Sequence, residues 1–382
     1  MYENIINNIK KCLPNNIKKY LVHEPTFSPR VKKELDMCIK SSFVSTSGNH
    51  ISKLSKELKK ITGSKYILLT SSGTSALFCA LKEIDVNNHE VIVPSMTFVA
   101  TANSVLYAGG SPVFIDNSDI NLNIDDKRME QYLYDNYKLI NGKCVNKKNN
   151  KIMKCIIAVH AYGVPANISA ICSIAKKYKI EVIEDAAGAL GSYMSNKHVG
   201  TKSRMGILSF NGNKIITTGM GGALLIKSKK DFDNISHKIS TARLKHPWKV
   251  EHDKVGYNLR MANVNAALGY GQIIDFKAII NNKRKLYERY CEVFTNNKYC
   301  YIKESHNSSN NNHWVTNLYI KDQYKHKHQS LIKYLHKNKI IVRELWKPMH
   351  LLPMYKNSPH NKMINSTKNW LTGLSLPSSY YK

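Results

Sequence analysis

The sequence predicts an α/β protein: a large, mainly parallel sheet with helices on both faces, followed by a smaller α+β part. Three observations carry this. Between about residues 50 and 228, short apolar runs alternate with segments of helical period, the pattern of strands joined by crossover helices. The apolar runs are continuous rather than alternating, as in strands buried on both faces. After about residue 270 the alternation stops, and helical segments mix with isolated short strands. A chain of 382 residues exceeds one typical domain. We therefore expect a large domain over 1–270, including an N-terminal arm, and a small C-terminal domain over 271–382.

The elements follow in order. Ile51, Leu54, Leu58 and Ile61 recur at helical spacing. Lys65 to Leu69 reads as a buried strand that ends at Ser71-Ser72-Gly73-Thr74, and Ser75 to Ile84 as the next helix. Val91-Ile92-Val93, Pro112 to Ile115, Ile156 to Val159 and Val182-Ile183 are further strands, with a helix over Ile168 to Tyr178 before the last. Gly222 to Ile226 closes the series. Residues 117–154 are polar and read as irregular, with an exposed hairpin or loop over Gly142 to Asn150. Beyond 270, Lys283 to Phe294 and Gln329 to Lys337 read as helices, Trp314 to Ile320 and Ile340 to Val342 as strands, and Ser305 to His313 as a loop.

Composition narrows the function classes. The hydrophobic content of 42% is that of a globular protein, and the longest apolar runs are far too short to span a bilayer. The N-terminus has neither the basic start nor the apolar stretch of a signal peptide, so a cytoplasmic location is expected. Eight Cys form no CxxC pair and no metal-ligand spacing; no metal site is expected. The net charge of +30 suits anionic ligands. The excess is mostly Lys and dispersed along the chain, which reads as composition rather than as a nucleic-acid patch.

In open parallel sheets ligands bind at the carboxyl ends of strands, where Gly73-Thr74 and Asp185 both fall. Backbone N–H groups at a helix N-terminus after Ser72 suit a phosphate, although for Ser72-Gly73-Thr74 taken alone a plain helix cap is the more common explanation. GxxxxGK and GxGxxG fingerprints are absent from the sequence. Asp185 ends an apolar strand, with room for one short loop and a strand before Lys214. Lys214 lies in Ser209-Phe210-Asn211-Gly212-Asn213-Lys214-Ile215-Ile216-Thr217-Thr218-Gly219. A strand-end Asp and a lone Lys in a Ser/Asn/Gly-rich turn suit pyridoxal phosphate (PLP). The lysine forms a Schiff base with the cofactor aldehyde, and the carboxylate keeps the pyridine nitrogen protonated. Phe98 could stack on the cofactor ring or belong to the core.

From about Leu21 to Tyr380 the chain resembles the DegT/StrS-type sugar aminotransferases. The supporting stretches are His23 to Ser28, Phe43-Val44-Ser45, Gly73 to Leu77, Thr97 to Asn103, Glu184 to Ala187, Ser209 to Gly219, His246-Pro247-Trp248 and Gly256 to Met261, with Arg343, Trp346, Pro348, His350, Pro353 and Tyr355 further on. The resemblance is nearest to the branch that aminates UDP-linked 4-keto-6-deoxy-N-acetyl sugars. It implies PLP fold type I, with Lys214 as the Schiff-base lysine and Asp185 as the pyridinium partner. It also implies Gly73, Thr74 and Ser209 on the cofactor phosphate, Phe98 over the ring, Asn258 reaching the phosphate of a neighbouring subunit in a homodimer, and Arg260 on the substrate diphosphate. Gly188 stands where many relatives carry Gln, Glu or His. Met220 replaces a glycine, so a left-handed φ there would be strained.

The function this implies is transfer of an amino group from L-glutamate to the C4 keto group of a UDP-linked 4-keto-6-deoxy-N-acetylhexosamine. The same chemistry on a GDP- or dTDP-linked sugar is the near alternative. A reading from another class, a catalytically retired basic binding protein, rests on the +30 charge, Gly188 and Met220.

Overall fold

Seven strands form the central sheet of the computed structural model, which describes residues 1–303 and 309–381. They are β1 (Tyr66–Thr70), β2 (Glu90–Pro94), β3 (Ser111–Ile115), β4 (Met153–Val159), β5 (Glu181–Asp185), β6 (Met205–Ser209) and β7 (Gly222–Ile226). Their spatial order is β1-β7-β6-β5-β4-β2-β3. β7 runs antiparallel to both its neighbours, and the other pairings are parallel. The strands other than β7 therefore end at one edge of the sheet, which gathers the loops after β1, β2, β4, β5 and β6.

Both faces are buried, which is why the strands read as continuous apolar runs. On β4, Cys155, Ile157 and Val159 belong to one core cluster, with Leu54 and Leu58 of the helix Asn49–Thr62 and Leu77, Ala80 and Leu81 of the helix Gly73–Ile84. Ile156 and Ala158 belong to the other, with Ile171 and Ile174 of the helix Ile168–Tyr178. The strand expected between Asp185 and Lys214 is β6.

Residues 117–154 are more ordered than the sequence suggests. They contain the helix Asp126–Asn136, capped by the Asp125 side chain, which accepts from the Arg128 N–H. This helix was missed because only Met129 and Leu133 of it are buried, too weak a stripe to register as helical period. The hairpin that follows pairs Tyr137–Ile140 with Lys143–Asn146. It turns at Asn141 and Gly142, both with positive φ (48° and 73°), as a two-residue hairpin requires.

The C-terminal part carries a four-stranded antiparallel sheet of Cys300–Ile302, Asn317–Ile320, Gly373–Ser375 and Arg343–Glu344. Its strand begins at Asn317 and not at Trp314, and residues 314–316 instead run beside the site. Ile340 makes an isolated bridge to Tyr20, so the expected strand at 340–342 is replaced by Arg343–Glu344. The loop expected at Ser305 to His313 lies outside the described residues up to 308, after which Ser309–Asn310 pairs with Tyr193–Met194. Ile5, Ile6 and Ile9 of the first helix, Tyr2–Cys12, share a core with Leu286, Tyr290 and Phe294 of the helix Phe276–Phe294. The N-terminal segment thus packs with the C-terminal part.

Candidate active site

The site is built where strands β1, β2, β5 and β6 end. Thr70 of β1 and Ser209 of β6 both pair with Gly222 of β7. A Cβ on Gly222 would lie 2.5 Å from Ser72 C and Gly73 N. A glycine at that position therefore lets the turn after β1 fold across the sheet edge. Gly73 then opens the helix Gly73–Ile84, and Ser72 caps it by accepting from the Ser75 N–H at 2.9 Å. The ordinary reading of Ser72 as a cap holds. Gly73 also approaches Ser209, since a Cβ on it would come within 2.9 Å of Ser209 Cβ and 3.2 Å of Ser209 Oγ. Helix N–H groups, a glycine with no side chain and a hydroxyl thus converge, as a phosphate cradle requires. Thr74 follows in the first turn.

Asp185 ends β5 and is buried. Its Oδ2 accepts from the Thr101 hydroxyl at 2.8 Å and its Oδ1 from the Ala187 N–H at 3.1 Å. Thr101 Oγ1 lies 3.0 Å from Thr97 Oγ1. A buried carboxylate whose orientation is fixed by two donors, near a cationic lysine, suits a partner that carries a proton on nitrogen.

Lys214 lies in the loop after β6, half-buried. Burial pushes its ammonium down from the ordinary value of 10.5 to about 8, while nearby Asp185 acts in the opposite direction. Among the described residues Lys214 makes no ion pair. Its Nζ lies instead 3.8 Å from the centre of the Trp314 ring. An amine that titrates near neutrality is suited both to reaction with an aldehyde and to proton transfer.

An aromatic wall surrounds this lysine, and reading the sequence did not assign it to the site. Tyr162 stacks on Trp346 with centroids 4.0 Å apart and 16° between planes, and its Oη accepts from the Trp346 N–H at 2.9 Å. Trp314 lies 6.3 Å from Tyr162 and 6.5 Å from Trp346. Tyr162 holds a left-handed backbone (φ 53°), uncommon for a bulky residue. Phe98 precedes the helix Val99–Tyr107, is 55% exposed, and its ring lies 6.3 Å from Trp346. It is therefore an exposed aromatic at the site's rim and not a core residue.

Arg260 sits beside the turn after β1. It bridges Thr70, and its guanidinium donates to Thr46 Oγ1 at 2.9 Å. Asn258 is exposed, on a segment bridged to Ser240; the structure does not bring its side chain to the Gly73 turn of the same chain by any hydrogen bond. Met220 lacks the left-handed φ that would have strained it. Gly219 takes that conformation instead (φ 77°). Among the described residues no group of His, Cys, Asp or Glu could hold a metal ion, and no helix is long and apolar enough to cross a membrane. A cavity of about 640 Å³ lies at the opposite edge of the sheet, lined among others by Lys60, Lys65, Lys197 and Lys227; none of the residues above lines it.

Residues 26–380 match the DegT/DnrJ/EryC1/StrS aminotransferase family. The chain belongs to this family. Among similar proteins, the GDP-perosamine synthase of Escherichia coli O157:H7 is 30% identical over 94% of this chain and 93% of its own. The UDP-4-amino-4,6-dideoxy-N-acetyl-beta-L-altrosamine transaminase of Campylobacter jejuni is 30% identical over 87% and 85%. Among solved structures, Helicobacter pylori PseC, an aminotransferase involved in the biosynthesis of pseudoaminic acid, superimposes with a TM-score of 0.85 at 24% identity, covering 94% of each chain. A putative sugar aminotransferase of Streptococcus pneumoniae in its PLP form gives 0.84 at 20%, covering 95% of this chain and 93% of its own. The DegT/DnrJ/EryC1/StrS chain described here is a PLP-dependent sugar aminotransferase with the α/β fold of these enzymes.

Proposed function

We propose that the enzyme transfers an amino group from L-glutamate to the C4 keto group of a UDP-linked 4-keto-6-deoxy-N-acetylhexosamine. The observation that carries the chemistry is the junction of Lys214, Asp185 and the Gly73–Ser209 cradle at one sheet edge. When bound there, PLP supplies an aldehyde that accepts the donor's amino group and a protonated ring that draws off electron density.

The chain's own residues do the rest. Lys214 Nζ anchors the cofactor and, once released, moves the proton at sugar C4 as general acid and base. Asp185 holds the proton on the ring nitrogen. Gly73, Thr74 and Ser209 bind the phosphate, and Phe98 covers the ring. Arg260 binds the substrate diphosphate, for which a planar fork of donors is well matched. We further propose a homodimer in which Asn258 reaches the phosphate site of the partner subunit. In support, the segment before Asn258 exposes Trp248 and Val255 at 78% and 85%, large apolar surfaces suited to burial against a second copy. A cytoplasmic location suits eight cysteines all in the thiol form.

A GDP-linked sugar is the second reading. It is favoured by the similarity to GDP-perosamine synthases, which matches that to the UDP-sugar transaminase in identity. Mass spectrometry of the enzyme incubated with PLP, glutamate and UDP-, GDP- and dTDP-linked 4-keto-6-deoxy sugars separates them. Amination of the UDP-N-acetyl sugar alone is the expected result; amination of the GDP sugar alone replaces the first reading with the second. The retired-scaffold reading loses two of its motives, because Met220 is unstrained and the space beside Gly188 is filled by Trp314.

A further inference from the structure

Trp314 is 4% exposed and held at every polar atom. Its N–H donates to Asn312 Oδ1 at 2.9 Å, and its carbonyl accepts from the buried Lys283 Nζ at 3.0 Å. Its indole Nε1–H donates to the carbonyl of Asn213, the residue before Lys214, at 2.7 Å. The same indole presents its face to Lys214 Nζ at 3.8 Å. Asn312, through Nδ2, also donates to the carbonyls of Gly188 and Leu190 at 2.9 and 3.0 Å. One asparagine thus ties the tryptophan to the loop after Asp185. A Cβ on Gly188 would meet Trp314 Cε3 at 2.6 Å and Cζ3 at 2.8 Å, closer than real Cβ contacts come. Gly188 and the indole therefore exclude any larger residue at 188.

We propose that Trp314 is a positioning residue for Lys214, and that residue 188 is a glycine in order to admit its ring. This rests on the role given to Lys214 above. A lysine that alternates between an anchored and a free state has a long flexible stem to control once released. The indole N–H fixes the backbone just before that stem. The indole face offers the free ammonium a seat in a desolvated setting, where attraction between a cation and a ring is strongest. The seat involves no carboxylate, so it holds the cation without competing for the proton the lysine must deliver.

The test uses the full-length protein freed of PLP, and follows the rate of colour formation on adding PLP as a function of pH. That rate reports the unprotonated fraction of Lys214, independent of any sugar. Removing the ring's attraction for the cation in Trp314→Leu should lower the midpoint by roughly 0.3–1.5 pH units. Trp314→Phe, which keeps a smaller ring, should show a smaller shift in the same direction, and it carries the test if the leucine variant does not fold. A second arm reads thermal midpoints: Gly188→Ala should lower the midpoint in the wild-type background and have little effect beside Trp314→Leu. An unchanged or raised pH midpoint in the Trp314 variants, or equal losses from Gly188→Ala in both backgrounds, overturns the proposal. Absence of colour at Lys214 in the wild-type protein would instead overturn the cofactor role of Lys214 itself.

Discussion

The Thr101 hydroxyl donates to Asp185 Oδ2 at 2.8 Å, joining the helix after β2 to the end of β5. Because the Ala187 N–H holds the other oxygen, the carboxylate cannot rotate away from the site. Orientation is thereby built in before any ligand arrives, which is how preorganised groups gain their effect.

That geometry predicts graded losses. Asp185→Asn keeps the shape but removes the charge. It should lower turnover by about 1.5–3 kcal/mol of lost charge-assisted bonding, on the order of ten- to a hundredfold. Thr101→Val should cost about 1 kcal/mol, on the order of fivefold. Steady-state rates of amino-sugar formation check both, and equal losses in the two variants would contradict the division of roles.

Lys214→Arg keeps the charge but cannot anchor the cofactor through an aldehyde. Amino transfer should fall by at least about a thousandfold, since acid–base catalysis and covalent anchoring are lost together. Product quantified by mass spectrometry over a long incubation checks this.

Gly73→Ala should weaken PLP binding about tenfold, corresponding to about 1.4 kcal/mol. The added Cβ would fall 2.9 Å from Ser209 Cβ and push the helix start away from the proposed phosphate site. An absorbance titration with PLP measures this, with circular dichroism confirming an unchanged fold.

Protonation of Lys214 should destabilise the PLP-free protein. Burial lowers its folded-state value to about 8 against an ordinary 10.5. Between those limits the unfolded chain binds the extra proton, so stability rises with pH across the window. The penalty is fully present below about 8 and absent above about 10.5. Lys214→Met should remove roughly 1–3 kcal/mol of that rise, read by urea unfolding at pH 7.5 and pH 10. Parallel pH dependences for variant and wild type would contradict it.

Glu184 adjoins Asp185 in sequence but serves the fold. Burial pushes its carboxyl up, yet the His160 ring and the N–H groups of Ser203 and Gly200 outweigh this and hold it at about 2. Its oxygens accept from His160, Gly200, Lys202 and Ser203. Glu184→Gln should lower stability by about 3–5 kcal/mol while PLP still binds. The stabilisation from this carboxylate is present above its ordinary 4.5 and lost as pH falls from there through about 2. Thermal melts with and without PLP distinguish the two effects.

Much of this arrangement was legible in the sequence because strand ends are marked by composition. Apolar runs stopping at Ser71 and Asp185 placed the Gly73 turn and the carboxylate at strand ends, and the polar turn around Lys214 placed the amine in the loop after the next strand. The helix Asp126–Asn136 was not legible, because its buried stripe is two residues wide. Nor was Trp314, which reads as the start of a strand. Its role depends on contacts with Asn213 and Gly188, far away in the chain, and no local pattern encodes such distant contacts. Gly188 held the one available signal, a missing side chain, but not what replaced it.

The most direct test of the account is to reduce the PLP-loaded enzyme with borohydride, digest it and map the modified peptide by mass spectrometry. The account predicts the phosphopyridoxyl mass on the peptide containing Lys214. The same mass on any other lysine, with Lys214 unmodified, would contradict it.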